Sequence, residues 1–258
     1  MTSYKEFHRH SIESPEQFWG EQAKLVHWHE PYGRVLDYSR PPFAKWFVSG
    51  KTNLCHNAID RHLVTRAKQT ALIYISTETG EEKRYTYKQL HQEICTFAAV
   101  LQGLGVKEGD RVIIYMPMIA EALFAMYACV RLGAIHSVVF GGFAAASLAA
   151  RIDDAKPKLM IASDAGMRGG KSIPYKHLVD EALKLAKHPP KKVLIVNRGI
   201  DKEMPLTKGR DLDYAELKTP HAKADVPVVW VESSHPSYIL YTSGTTGQPK
   251  GVQRDVGG

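Results

Sequence analysis

Residues 111–140, RVIIYMPMIAEALFAMYACVRLGAIHSVVF, hold a complete strand–helix–strand unit. Arg111 to Met116 is a nearly unbroken apolar run of strand length, stopped by Pro117, which cannot continue a ladder or a helix interior. Residues 119–132 read as a helix closed by Gly133, and HSVVF (136–140) is the next strand. A strand that is apolar at consecutive positions leaves no face for water. It belongs in a parallel sheet covered by helices on both sides. The same grammar continues in both directions. Downstream, a helix over 145–155 leads to the strand KLMIAS (158–163), and a helix over 175–187 leads to KKVLIVN (191–197). Upstream, ALIYIS (71–76) and KRYTY (83–87) are joined by TETGEE around Gly80 and read as a hairpin. Thr86 then caps a helix in which Leu90, Ile94, Phe97, Leu101 and Leu104 recur every three or four residues, ended by Gly103 and Gly105. Repeated alternation of this kind defines an α/β class, a layered and mostly parallel sheet with flanking helices. It fixes no function by itself. Residues 198–236 are polar and dotted with proline and read as a long excursion.

Residues 1–66 follow a different grammar. Ser14-Pro15 marks a helix start, and the segment to Trp28 carries Phe18, Trp19 and Leu25. Pro31, Pro41 and Pro42 punctuate an irregular stretch in which RPPFAKWF (40–47) suits neither a central strand nor a long helix, and Asn57–Leu63 reads as a short helix. A division into 1–66 and 67–258 follows.

The composition excludes several classes. The chain has 258 residues, 44% hydrophobic and 24% charged, within the soluble globular range. No run approaches the roughly 18 apolar residues of a membrane span, and MTSYKEFHRHSIESPEQFW lacks the apolar core of a signal peptide. Cys55, Cys95 and Cys129 are odd in number and form no CxxC pair, as expected of reduced thiols in a cytoplasmic protein. Twelve histidines include no HExxH and no Cys/His cluster at ligand spacing, so no metal site is read. The net charge of +7 is spread along the chain, without an Arg-rich arm or an aromatic-basic box. That pattern fits small polyanionic ligands and not a nucleic acid or a membrane.

Tyr241-Thr242-Ser243-Gly244-Thr245-Thr246-Gly247-Gln248-Pro249-Lys250-Gly251 follows the strand-like PSYIL (236–240). Glycines let backbone N–H groups converge on oxygen atoms, hydroxyls add donors, and a lysine adds charge, which together suit a triphosphate. It is not a Walker A loop, since Lys250 is followed by Gly251. A second stretch, Gly166-Met167-Arg168-Gly169-Gly170-Lys171-Ser172-Ile173-Pro174, sets two cations around two glycines just after a strand, where α/β sheets bind ligands. A solvated βα loop is the plain alternative. Phe140-Gly141-Gly142-Phe143-Ala144 follows another strand and reads equally as a packing turn or a ligand loop.

TSGTTGQPKG resembles the phosphate loop of the adenylate-forming superfamily, which includes acyl-CoA synthetases, luciferases and the adenylation domains of peptide synthetases. The resemblance implies that Thr242, Ser243, Gly244, Thr245, Thr246, Gly247 and Lys250 contact the ATP phosphates, with Gln248 where a lysine often stands. Arg168-Gly169-Gly170-Lys171 resembles the Arg-Gly-Gly-Arg run that contacts the phosphate-bearing end of CoA in short-chain acyl-CoA synthetases. There Lys171 keeps the charge but loses the planar fork. FGGFA resembles the element beside the same site, which implies CoA contacts at Phe140, Gly141 and Gly142. RPPFAKWF, KTNLCHNAIDRH, GDRVIIYMPMIAEA and ARIDDAKPKLMI resemble acetyl- and propionyl-CoA synthetases, the propionyl type more closely. The implied protein is the N-terminal part of an adenylate-forming large domain, incomplete, preceded by an acetyl-CoA synthetase-type extension. Its full-length form would join a short carboxylate, propionate or acetate, to CoA with MgATP through acyl-AMP. No catalytic side chain falls in this span, and residues 1–258 alone are expected to be inactive. A ligase that loads a carrier protein and a non-catalytic nucleotide-binding fragment stay open as alternatives.

Overall fold

The computed structural model describes residues 3–242 and 249–258. The chain begins with helices α1 (Tyr4–Glu13) and α2 (Pro15–Gln22), strands β1 (Arg34–Arg40), β2 (Phe43–Val48) and β3 (Lys51–Thr52), and helices α3 (Leu54–Ala58) and α4 (Leu63–Arg66). The hairpin of β4 (Thr70–Ile75) and β5 (Glu82–Thr86) leads into α5 (Tyr87–Gly103), followed by β6 (Arg111–Tyr115), α6 (Ala120–Arg131), β7 (Ile135–Val138), α7 (Ala145–Ala155) and β8 (Leu159–Ser163). Next come β9 (Gly166–Arg168), β10 (Lys171–Ile173), α8 (Tyr175–Leu185), β11 (Val193–Val196), β12 (Asp211–Asp213) and α9 (Tyr214–Lys218). The last strands are β13 (Val231–Glu232), β14 (Pro236–Thr242) and β15 (Lys250–Asp255). Among the described residues no helix is long and apolar enough to cross a membrane.

The main sheet has seven strands in the order β12-β11-β8-β6-β7-β14-β15, all parallel except the antiparallel β15. Side chains alternate between its faces with period two. Val112, Ile114, Leu159, Ile161, Leu194 and Val196 meet α5 and α6 on one face. Ile113, Tyr115, Met160, Ala162, Val193 and Ile195 meet α7 and α8 on the other. The helix boundaries follow local chemistry. Thr86 and Gln89 form a reciprocal capping box at the start of α5. Gly105, at φ +82°, supplies the left-handed residue just past its end. Arg111 donates from Nε to Ala155 O (2.9 Å) and from Nη2 to Lys156 O (3.1 Å), capping the carbonyl end of α7.

Several elements depart from the sequence reading, among them the short helix read over Asn57–Leu63, which is split between the end of α3 and the start of α4. RPPFAKWF is half of a hairpin whose register shifts between Asp37 and Arg40, because among the described residues β1 and β2 pair only with each other, outside the main sheet, with Pro41 and Pro42 at the turn where a missing donor leaves no gap. Residues 4–13 are helical, started by a capping box between Ser3 and Glu6. The 198–236 excursion hides a sheet strand, β12. Its Asp211 side chain is fully buried and pairs with Lys176 Nζ (2.9 Å) and Arg210 Nε (2.6 Å), so an acidic tripeptide occupies a position where hydrophobicity gives no signal.

Asn53 and Asp60 tie the N-terminal region to α6 and to the segment at Val229 through polar contacts as well as packing. Asn53 donates to Val130 O and Val229 O, both at 2.9 Å. Asp60 accepts a two-pronged hydrogen bond from Arg131 of α6, Nη1 to Oδ2 and Nη2 to Oδ1 at 2.9 Å each. Burial opposes the Asp60 charge, yet hydrogen bonds from His91 and Arg131 hold its pKa well below the carboxylate range. His91, whose pKa rises to about 9 chiefly through its hydrogen bond with Asp60, completes the group. Arg131 is only 3% exposed at its side chain, so deleting it strips a largely buried carboxylate of its two-pronged partner and leaves it His91 alone. Arg131→Met is expected to lower stability by about 3–5 kcal/mol, as for a broken buried pair. The double variant Arg131→Met/Asp60→Leu should recover much of that loss. Urea unfolding followed by tryptophan fluorescence measures both, and equal losses in the two variants would refute the pairing.

Candidate functional site

Parallel strands β6, β7, β8, β11 and β14 all end at one edge of the sheet, and the Phe140–Ala144 and Gly166–Pro174 stretches leave that edge, where β14 also ends at Thr242. After β7 the chain runs through Phe140-Gly141-Gly142-Phe143-Ala144. Tyr115, the last residue of β6 and fully buried, donates its hydroxyl to Gly141 O (3.2 Å) and Phe143 O (2.9 Å). Tyr175, the first residue of α8, lies against Gly141 and Gly166. A Cβ at Gly166 would sit 2.5 Å from the Tyr175 hydroxyl oxygen, and one at Gly141 would be closer still. Gly141 therefore has a packing role of its own, one of the two readings the sequence left open. The loop leaves Phe140 63% exposed at the rim.

Arg168-Gly169-Gly170-Lys171 is the tip of a β-hairpin and not a simple βα loop. Arg168 and Lys171 are cross-strand partners, and Gly169 and Gly170 take φ of 56° and 74°. Two successive left-handed residues are what a two-residue hairpin turn requires. Both cations are exposed. The hairpin is held from below by residues the sequence reading did not single out. Met167 N donates to Glu78 Oε1 (3.1 Å), while Arg198 donates to Glu78 Oε2 (2.7 Å) and to Ala165 O (3.1 Å). Asp164, fully buried, accepts from the backbone N–H groups of Arg198 (3.1 Å), Ile200 (2.8 Å) and Asp201 (3.2 Å). Sequence carried one hint, since Asp164 follows a buried strand directly; Glu78, 120 residues from Arg198, carried none.

β14 and β15 form the hairpin that bears the hydroxyl- and glycine-rich motif. Thr242 and Lys250 are Cα partners at its neck, both exposed. Ser243, Gly244, Thr245, Thr246, Gly247 and Gln248 lie outside the described residues. Tyr241 donates its hydroxyl to Asp154 Oδ2 (2.7 Å) and pairs across the strands with Gly251, where a Cβ would stand 3.1 Å from that carboxylate oxygen and 3.2 Å from the Tyr241 ring. Ser137 donates to Ile239 O (3.0 Å) and ties β14 to β7. Thus Phe140, Gly141 and Gly142 share one edge with Arg168, Gly169, Gly170 and Lys171, through Tyr175, and with Thr242 and Lys250, through β7 and β14.

Two other features lie away from this edge. A groove of about 510 Å³ on the α6 face is lined by Leu72, Met118, Leu123, Tyr238 and Leu240, with His136 at its floor. Burial brings the His136 pKa down to about 4, so none of the groove's described lining residues is charged at neutral pH. His91, Cys95 and Asp225 form the trio whose ligand-type atoms fall within 4.8 Å of one another among the described residues, a spacing on one helix face that the sequence reading passed over. The His91 Nε2 atom is already 3.3 Å from both Asp60 Oδ1 and Arg131 Nη2, so that nitrogen is engaged and a further cation beside it would meet a guanidinium.

Residues 59–257 match the family described as AMP-binding enzyme, and residues 4–58 match the acetyl-coenzyme A synthetase N-terminus. The chain belongs to the AMP-binding enzyme family, and the resemblance read from its motifs to the short-chain acyl-CoA synthetases is borne out. It is 59% identical over 256 residues to the propionate–CoA ligase of Escherichia coli strain K12, covering 99% of this chain and 41% of that protein. It is 48% identical over 259 residues to the acetyl-coenzyme A synthetase of Methylorubrum extorquens strain PA1, covering 99% and 40% respectively. The solved structure of acetoacetyl-CoA synthetase from Streptomyces lividans matches with a TM-score of 0.89 at 30% identity, over 100% of this chain and 39% of that one. The chain thus spans about two fifths of the length of the curated relatives it matches.

If Tyr175 is what forbids a side chain at position 166, Gly166→Ala should destabilise by about 1–3 kcal/mol, the usual cost of overpacking. In a Tyr175→Ala background most of that penalty should vanish. Urea melts of the two single variants and the double variant test the point; strictly additive losses would show that the glycine answers to something else.

Proposed function

We propose that the full-length protein converts a short-chain carboxylate, with propionate preferred over acetate, to an acyl-adenylate with ATP and then to the acyl-CoA thioester. One observation carries the reading. The phosphate-loop hairpin, with Thr242 and Lys250 opposed at its neck, emerges from the same sheet edge as the exposed Arg168 and Lys171. One edge can thereby receive two polyanions, as a reaction that uses ATP and CoA in turn demands. The likeness to a propionate–CoA ligase at 59% identity and to an acetyl-coenzyme A synthetase at 48% supports propionate first and acetate second. On this reading residues 1–66, which close with α4, are an extension laid against an AMP-binding unit that begins at 67.

In the first step the carboxylate oxygen attacks the α-phosphorus and pyrophosphate departs. Thr242, Ser243, Gly244, Thr245, Thr246, Gly247 and Lys250 hold the β- and γ-phosphates, so that donors and an ammonium group face the charge that grows on the leaving group. Magnesium enters with ATP as part of that substrate. In the second step the CoA sulfur displaces AMP. Arg168 and Lys171 meet the phosphates at the nucleotide end of CoA, with Gly169 and Gly170 keeping the turn tight, and Phe140 beside Gly141 and Gly142 offers a ring face to the adenine. Two exposed cations and an exposed ring suit a free nucleotide better than a carrier protein's tethered thiol. On this reading the protein works in the cytoplasm on small molecules, without nucleic acid or membrane.

A charge-assisted hydrogen bond contributes about 1.5–3 kcal/mol, which corresponds to roughly 10- to 100-fold in rate. Lys250→Ala in the full-length protein should therefore slow ATP–pyrophosphate exchange by about that factor. Arg168→Ala should raise the KM for CoA and leave the KM for ATP within about twofold. Unchanged exchange in the first variant, or equal shifts of both constants in the second, would contradict the assignments.

A further inference from the structure

Arg151, on α7, lies between the two loops assigned above to different substrates. Its guanidinium carbon stands 4.4 Å from the centroid of the Phe143 ring and 5.3 Å from that of Tyr241. Phe143 belongs to the Phe140–Ala144 loop, and Tyr241 immediately precedes Thr242 at the neck of the phosphate hairpin. The residue is 6% exposed, and Nη1 is anchored to its own helix, donating to Ser147 O (2.7 Å) and Ser147 Oγ (2.6 Å). Both residues have a second anchor besides Arg151. Tyr115 holds the Phe143 carbonyl at 2.9 Å, and Asp154, one turn along α7 from Arg151, accepts the Tyr241 hydroxyl at 2.7 Å. Gly251 leaves the space in which that hydroxyl meets Asp154.

A flat cation over one ring and near a second is a two-sided contact that a lysine cannot reproduce, because an ammonium lacks the plane that stacks. Burial pulls the Arg151 pKa down, but a guanidinium starts so high that it stays charged at any pH at which the protein is folded. The contact is therefore permanent, and displacement of either ring is felt by the cation and so by the other ring.

We propose that Arg151 is a positioning residue that clamps the CoA-side loop to the phosphate hairpin through Phe143 and Tyr241, so that each substrate's site is held in register by the other. The proposal rests on the function proposed above. It concerns no atom of either substrate.

The test uses the full-length enzyme and two assays: ATP–pyrophosphate exchange, which gives the KM for ATP without CoA, and thioester formation, which gives the KM for CoA. Arg151→Gln should raise both constants about 5- to 30-fold, as for loss of desolvated cation–π contacts, and Arg151→Lys should recover only part. Phe143→Leu should raise the KM for CoA more than that for ATP, and Tyr241→Leu should do the reverse, because each ring is lost on one side of the clamp and only relayed to the other. In the double variant Phe143→Leu/Arg151→Gln the CoA effect should not exceed that of Arg151→Gln by itself. The clamp is overturned if Arg151→Gln melts near the parent temperature and shifts neither constant, shifts only one, or lowers kcat with both unchanged. Should Arg151→Gln not fold, the Phe143 and Tyr241 variants decide, and equal shifts of both constants in either of them overturn it. Failure of this proposal is separable from failure of the function: Lys250→Ala and Arg168→Ala respond as stated if only the clamp is wrong, and do not respond if the function is wrong.

Discussion

Covering both faces of a parallel sheet has a topological consequence. Each strand must be followed by a helix that carries the chain back over a face, so every outgoing loop leaves from the same edge. Here that constraint starts with the apolar faces of β6, β8 and β11, whose alternate residues fill two separate cores beneath α5 and α6 and beneath α7 and α8. Neither core tolerates a solvated strand. The chain therefore leaves β7, β8 and β14 at the same edge without any contact being needed to bring those strand ends together. Chemistry at the edge is then a matter of holding three loops in fine register.

That register depends on aromatic side chains and on glycines that make room for them. Tyr115 and Tyr175 rise from β6 and α8 and fix the Phe140–Ala144 loop, one by hydrogen bonds to its carbonyls and the other by lying against Gly141 and Gly166. Tyr241 and Gly251 do the same at the β14–β15 hairpin, with Asp154 as the anchor. Carboxylates take the remaining work: Asp164 gathers three backbone N–H groups behind the β9–β10 hairpin, and Glu78 reaches across from the β4–β5 turn to hold its base. Dipoles and charges fixed in this way need little reorganisation when a charged ligand arrives, which is the property that electrostatic catalysis requires.

Much of this was legible in the sequence because its signals were local. The apolar runs at 111–116, 158–163 and 191–197 and the caps at Thr86, Gly105 and Gly133 each report on a few neighbouring residues, and all correspond to observed elements. The glycine- and hydroxyl-rich stretches are also contiguous. What escaped was nonlocal or polar. β12 is Asp-Leu-Asp, and it is a strand because Lys176 and Arg210 neutralise Asp211 inside the protein, a compensation that no window on residues 211–213 reveals. RPPFAKWF pairs with a strand outside the main sheet, so proline excluded it from the centre but not from a hairpin. Arg151 sits in a helix of ordinary amphipathic pattern; only the fold brings Phe143 and Tyr241 to either side of it.

On the proposed function, one edge of the sheet takes two polyanions at two separate places. The most direct measurement is a structure of the full-length protein with a non-hydrolysable ATP analogue and CoA bound. The account predicts the triphosphate at the neck of the β14–β15 hairpin, beside Thr242 and Lys250, and the phosphate-bearing end of CoA against Arg168 and Lys171 with its adenine near Phe140. A triphosphate in the groove between α6 and β14, or CoA phosphates remote from the β9–β10 hairpin, would contradict it.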